Sequence, residues 1–273
     1  MKIVYVGGGN MAAALIGGWL KAGGAGTDIN VVEVDAARRD ELARLYAVAT
    51  HAQPNAALAG ADVFVLAVKP QQMRAACTAL RPFVGASTIL SIAAGIRTAE
   101  MTRWLGTTRI VRAMPNTPAL IGQGVTGLAA LPSVPETSRD QVEAILQPAG
   151  PVVWFDKENK LDAVTALSGS GPGYVFYFIE AMMRAGQELG LTETQSRQLA
   201  AQTIIGAGQL AWQSNEPVSV LRERVTSKGG TTAAGLGAMA QDRVADAIVR
   251  AIHAANRRAI ELGDEFGAQK ASD

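Results

Sequence analysis

The stretch VTSKGGTTAAGL, Val225 to Leu236, gathers four hydroxyl residues, a lysine and two consecutive glycines within a part of the chain that otherwise reads as helix. Ser227, Gly229, Gly230, Thr231 and Thr232 stand just before a helix start, where unpaired backbone N–H groups and the positive end of the helix dipole converge. Such a turn suits an anion. One hydroxyl would be enough for an ordinary N-cap at Thr231 or Thr232, so the surplus points to a ligand. Lys228 is the only lysine between Leu161 and Gln269; it either strengthens this anion site or sits solvated at the loop tip. No nucleophile–base pair, carboxylate dyad or metal cluster accompanies the loop, and Asp162, Glu180 and Glu188 fall at helical positions expected to be solvated or capping. The chemistry expected is one that depends on orientation more than on acid–base work, as in hydride transfer to an already activated acceptor.

A second chemical signal opens the chain. In KIVYVGGGNMAAALIGG, Gly7, Gly9 and Ala12 have G-x-G-x-x-A spacing directly after a strand and at the start of a helix, the context in which a dinucleotide pyrophosphate binds. At the end of the second strand, in VVEVDAARRD, Asp35 or Glu33 could accept a ribose hydroxyl, while Arg38 and Arg39 could hold a 2′-phosphate or simply face solvent. Lys69 and Pro70 follow a later strand, Ala93, Ala94 and Gly95 the next, and Asn116 and Thr117 the one after, between two prolines. These strand ends are where ligands of open α/β sheets lie. Ser168 to Gly173, SGSGPG, interrupts the helical pattern and reads either as a turn or as a close approach to the cofactor.

The elements that must position these residues change character along the chain. The β-rich runs KIVYVG, INVVEV, DVFVLAV, STILSIA, TRIVRAMP, GVTGLAAL and PVVWF read as buried parallel strands, linked by helices such as Met11 to Ala22 and Ala37 to Tyr46. After Phe155 strand patterns give way to helices at Glu158 to Leu167, Tyr174 to Leu189, Glu193 to Gln213 and Asp242 to Leu262. The expected architecture is α/β: a Rossmann-type doubly wound sheet over residues 1–156, then an all-helical domain over 157–273. LAAQTIIGAGQLAW and AMMRAGQEL carry small residues on apolar faces, which suits burial between subunits. The tail GAQKASD is expected to fray.

Composition narrows the function classes. Twenty-five basic and 24 acidic residues leave a net charge of +1, which gives no footing for non-specific binding to nucleic acid or to an acidic membrane surface. One cysteine, Cys77, and two histidines, His51 and His253, offer no disulfide and no metal-ligand spacing. No apolar run is long enough to span a bilayer, and the N-terminus lacks a signal-peptide pattern, so a soluble protein of the reducing cytoplasm is expected.

VGGGNMAAALIGG, LAVKPQQM, SIAAGI, RAMPNTPALIGQG, LSGSGPGYVFYFIEAMMRAGQELGL and VTSKGGTTAAGL, in this order, resemble pyrroline-5-carboxylate reductase along nearly the whole chain. The resemblance implies NAD(P)H-dependent reduction of the cyclic imine Δ1-pyrroline-5-carboxylate to L-proline, the last step of proline biosynthesis. It also implies a Rossmann domain followed by a helical dimerisation domain, assembled as a homodimer or as a decamer. Ser227 with the loop amides would bind the substrate carboxylate, and Thr232 would meet the ring nitrogen as the catalytic residue. The cofactor, expected to be NADPH with NADH as the alternative, would contact Gly7, Gly8, Gly9, Asn10, Met11, Arg38, Asn55, Val68, Lys69, Pro70, Ala93, Ala94, Gly95 and Asn116. Two departures stand out: many relatives carry proline where this chain has Lys228, and SNEPVSVLRER places its proline one position earlier than the usual acidic-His-Pro spacing, which bears on Glu216. The β-hydroxyacid dehydrogenases share the domain order but resemble a pattern with a catalytic lysine after a glycine-rich stretch, and Tyr174 to Leu189 contains none. A non-catalytic dinucleotide sensor would be expected to have lost the hydroxyls and glycines that this loop retains.

Overall fold

The structure, a computed structural model, describes residues 1–268. Most of the tail expected to fray, residues 269–273, lies outside the described residues. Packing divides the chain into two compact units: residues 1–170 together with the described residues from Ala255 on, and residues 171–254.

The first unit is built on an eight-stranded sheet with spatial order β3-β2-β1-β4-β5-β6-β7-β8. The strands are β1 (Ile3–Val6), β2 (Ile29–Val32), β3 (Ala49–His51), β4 (Val63–Leu66), β5 (Thr88–Ser91), β6 (Ile110–Met114), β7 (Thr126–Ala130) and β8 (Val152–Phe155). Between and after them lie α1 (Asn10–Lys21), α2 (Ala36–Tyr46), α3 (Met73–Val84), α4 (Thr98–Leu105), α5 (Glu136–Leu146) and α6 (Lys160–Val164). Alternation along β1 shows why both faces are covered. Ile3 and Tyr5 pack into one apolar cluster with Leu15, Ile16 and Val142, while Val4 and Val6 join Phe64, Leu80 and Met101 in another. Strands buried on both faces read as continuous apolar runs, which is how they were recognisable.

Three features differ from the expectation. β7 runs antiparallel to β6, with Met114 opposite Gly127 and Val111 opposite Ala130. The connection over 115–125 is too short for the crossover that a parallel neighbour requires. β3 is an additional strand that no pattern announces, because its residues, Ala-Thr-His, form a short edge strand without an apolar run. The third difference is at Ser168 to Gly173, which does not break the helix. α6 passes into a π turn over Thr165–Gly169, closed by Ser170 N–H to the Thr165 carbonyl at 2.8 Å, and α7 (Gly171–Glu188) begins at once. Pro172 falls in the first turn of α7, where its missing N–H costs no helical bond of its own.

The second unit contains α7, α8 (Glu193–Gln213), α9 (Val218–Arg224), α10 (Thr231–Gln241) and the start of α11 (Val244–Ala268). α8 starts at a capping box in which the Thr192 hydroxyl accepts from Gln195 N–H and the Gln195 side chain accepts from Thr192 N–H. α11 begins two residues later than its pattern suggested because Arg243 is left-handed, with φ +53, and separates it from α10. No helix among the described residues is long and apolar enough to cross a membrane.

Candidate functional site

The cofactor signals of the sequence meet at the carboxyl edge of the sheet. Gly7, Gly8 and Gly9 follow β1; Val68, Lys69 and Pro70 follow β4, its neighbour on one side; Ala93, Ala94 and Gly95 follow β5. The strand order reverses between β1 and β4, the switch point at which ligands of such sheets bind. Gly7 has φ +99, and a Cβ there would lie 2.8 Å from the Ala67 carbonyl carbon, so no other residue fits between β1 and β4. Gly9 is the opposite case: a Cβ would meet nothing within 4 Å, and the residue is the N-cap of α1 with no side-chain cap. An exposed backbone without a side chain, at the start of a helix, is what a pyrophosphate needs.

The loop is held rigid by charged side chains from beyond β2. Gly8 N–H donates to Glu33 Oε2 at 2.8 Å, and Arg38 Nε donates to the Gly8 carbonyl at 2.6 Å. The other Glu33 oxygen accepts from Asp35 N–H at 2.9 Å, and Asp35 itself caps α2 through Arg38 N–H. Arg39 donates to the carbonyls of Glu33 and Val34. Arg39 therefore folds back onto the β2–α2 turn, while Arg38 reaches across to the fingerprint loop and pairs with Glu41 at 2.6 Å, so neither simply faces solvent. Glu33 is spent on the fingerprint loop more than it is free for a ribose.

Asn55 and Asn116 sit at the same edge with their amides already engaged. Asn55 Oδ1 accepts from Ala57 N–H at 2.9 Å, and its Nδ2 lies 3.1 Å from His51 Nδ1. Asn116, 9 % exposed, accepts from Val125 N–H at 3.0 Å and donates to the Ser168 carbonyl at 3.2 Å. In a regular helix that carbonyl would receive the N–H of residue 172, which is proline. Asn116 thus ties RAMPNTPALIGQG to LSGSGPG, two of the stretches that stood out in the sequence. A Cβ at Gly169 would fall 2.7 Å from Met114 Cε, the free end of a flexible side chain that can move aside.

Asp162 was expected to be solvated or capping, and it is neither. It is 5 % exposed and takes both oxygens to Arg97, at 3.0 and 2.9 Å. Beside it Glu158 receives Thr98 N–H, the Thr98 hydroxyl and Arg112, at 2.6–2.7 Å. Burial pushes the Glu158 carboxyl upward, but the Thr98 hydroxyl and the Arg112 charge outweigh it and hold the group below its ordinary range. Arg112 was the legible clue: a charge at a buried position of an apolar strand demands a partner.

The loop that opened the sequence analysis lies in the second unit. Thr226 lies just past α9, its hydroxyl donating back to the Arg222 carbonyl at 2.6 Å. A turn closed by Gly230 N–H to the Ser227 carbonyl follows at 3.0 Å, with Gly229 left-handed at φ +73. The N-cap of α10 is Gly230, not Thr231 or Thr232, and no side chain caps it. The hydroxyls of Ser227, Thr231 and Thr232 are exposed and make no hydrogen bond among the described residues, so they stay available together with the first-turn amides. Glu216 pairs with Arg224 at 2.6 Å, one residue before the loop's first valine.

Similarity to known proteins decides which chemistry this arrangement serves. Residues 158–262 match the family described as pyrroline-5-carboxylate reductase dimerisation, and residues 2–95 match that described as NADP oxidoreductase, coenzyme F420-dependent. The pyrroline-5-carboxylate reductase of Pseudomonas aeruginosa is 41 % identical over 268 residues, 97 % of this chain and 98 % of that one. The chain belongs to the pyrroline-5-carboxylate reductase family. The reductase of Coxiella burnetii superposes with a TM-score of 0.91 at 35 % identity, over 96 % of this chain and 98 % of the other. The reductase of Plasmodium falciparum, solved with NADP bound, gives 0.85 at 28 % identity, over 96 % and 98 %. The loop Thr226–Thr232 falls within the stretch that matches the dimerisation family.

Proposed function

We propose that this chain reduces Δ1-pyrroline-5-carboxylate to L-proline with NADPH, NADH being the alternative donor, as the last step of proline biosynthesis. The observation that carries this reading is the loop Thr226–Thr232, whose uncapped helix start and unspent hydroxyls suit one small carboxylate. The identity to named reductases over nearly full length supports it.

The N-terminal residues fit a dinucleotide: the open Gly9 admits a pyrophosphate, and the Glu33–Gly8–Arg38 clamp holds the loop that would bind it. Gly7, Asn10, Met11, Asn55, Val68, Lys69, Pro70, Ala93, Ala94, Gly95 and Asn116 complete the proposed binding set. When bound, the reduced nicotinamide supplies a hydride equivalent. The chain's own residues do the rest. At the turn that Gly230 closes, the amides of Gly229, Thr231 and Thr232 and the Ser227 hydroxyl grip the carboxylate, which fixes the ring and removes the entropy of a loose encounter. Thr232 stands at the ring nitrogen, where a proton makes the imine carbon a better hydride acceptor.

Residues 1–156 act in this reading as the dinucleotide domain and 157–273 as the substrate and dimerisation domain. The working form is a homodimer, with a decamer as the larger assembly. α7 and α8 leave Phe176, Tyr177, Leu199, Ile205, Leu210 and Trp212 exposed, Trp212 to 78 %. Each such side chain gains about 1.5–3 kcal/mol when removed from water, and a second copy would supply that burial. The cell compartment is the cytoplasm, without a membrane or nucleic-acid partner, in keeping with balanced charge and a single cysteine.

The test is an assay that follows NADPH absorbance after adding the imine, with proline measured as product. Stoichiometric oxidation and proline formation are expected. Tight NADPH binding without consumption would instead mark a sensor.

A further inference from the structure

His51 plays no part in the function derived above, yet its ring is held on both sides. It closes β3, and its carbonyl accepts from Glu33 N–H at 2.9 Å, which joins it to the turn after β2. Its Nε2 lies 2.9 Å from Asn30 Oδ1 and its Nδ1 lies 3.1 Å from Asn55 Nδ2. The tautomer follows from the neighbours. Asn55 Oδ1 already accepts from Ala57 N–H, so the atom that Asn55 turns to His51 is its NH₂ donor. Nδ1 must then accept, the ring proton sits on Nε2, and Nε2–H donates to Asn30. Asn30 is 9 % exposed within β2, a buried amide whose oxygen His51 satisfies.

We propose that His51 is a positioning residue for the cofactor: braced by Asn30, it adds a third anchor to the Asn55 amide, whose orientation Ala57 N–H and the Gln53 carbonyl already select, and so holds Asn55 firmly where it meets the dinucleotide. This rests on the reading of Asn55 as a cofactor contact. Ala57 N–H and the long bond to the Gln53 carbonyl choose which end of the amide is donor; the closer His51 Nδ1 holds that donor in place, so less side-chain freedom is left to lose on binding. Asn55 keeps an unused lone pair on Oδ1 for a ribose hydroxyl.

The experiment uses the full chain and two readouts: Kd for NADPH by equilibrium fluorescence titration without imine, and KM and kcat with it. Asn55→Ala is expected to raise Kd about three- to tenfold, the span of one or two lost hydrogen bonds. His51→Gln keeps a donor toward Asn30 but no acceptor at the Nδ1 position, and is expected to raise Kd by a similar factor, with KM rising more than kcat falls. His51→Asn, whose shorter amide oxygen can accept from Asn55, recovers at least half of that loss. The double variant His51→Gln with Asn55→Ala binds no more weakly than Asn55→Ala alone, because His51 acts through Asn55. Unchanged Kd in His51→Gln beside an impaired Asn55→Ala overturns the positioning role, as does a double variant whose loss is the product of the two single losses. Unchanged Kd in Asn55→Ala removes Asn55 itself from the cofactor site and takes the proposal with it. A fall in Tm without a change in Kd assigns His51 to stability alone.

Discussion

At the scale of single residues, Thr232 is the sharpest case. Its hydroxyl is exposed and makes no hydrogen bond among the described residues, although a threonine at this place would ordinarily cap its helix; Gly230 occupies the cap instead. Thr232→Ala should therefore leave the fold intact, with Tm within a degree or two, and lower kcat by about tenfold or more if the hydroxyl acts in the transition state. Steady-state kinetics on the imine decide it: equal kcat with a raised KM would make Thr232 a binding residue only. The type and spacing of this loop were legible in the sequence because surplus hydroxyls and glycines are conspicuous in a helical background. Glu33 was legible as a possible acceptor for a ribose hydroxyl at the end of a strand, and not as the partner of Gly8 N–H. Its bond to Gly8 joins positions 25 apart in sequence, and no local pattern encodes a pairing over that distance.

The join of α6 and α7 shows what patterns of elements do and do not reveal. Three glycines and a proline in SGSGPG read as a break, yet the chain stays helical because the π turn absorbs the extra residue and Asn116 takes the carbonyl that Pro172 cannot serve. Asn116→Ala should cost about 1–3 kcal/mol, the penalty for leaving the Ser168 carbonyl and Val125 N–H unsatisfied. Asn116→Asp retains the acceptor for Val125 but turns a carboxylate oxygen toward the Ser168 carbonyl, so it should recover little of the loss, as denaturant titration of both variants would measure. A full recovery of stability in Asn116→Asp would show that the carbonyl at the π turn needs no partner. The strands, by contrast, were legible wherever both faces are buried, and only β3, three residues long at the sheet edge, lacked the run that announces a strand. The reversed β7 was hidden for a different reason: an apolar run does not state its direction, and only the brevity of the preceding loop does.

Over the whole molecule, the ionic cluster of Glu158, Thr98, Arg112, Arg97 and Asp162 joins segments far apart in sequence. Because the folded pKa of Glu158 lies below its ordinary value of 4.5, its contribution to stability is complete above that pH and is lost as pH falls through the lowered folded value. Chemical denaturation from pH 7 down to pH 3 should show a loss in the native protein that is smaller in Glu158→Gln, which carries no titrating carboxyl. Parallel curves for the two would remove Glu158 from the acid response. β8 runs parallel to β7, and therefore against β1 to β6, so the chain leaves the sheet heading away from the glycine-rich edge. The run from Lys160 to Gly169 must bring it back, passing Val164 beside Gly127 before the Ser168 carbonyl reaches Asn116. This return path is a ruler of fixed length. One residue inserted or deleted there would swing every later side chain by about 100° around the helix axis, so natural variation in chain length should gather in the surface turns and spare this ascent.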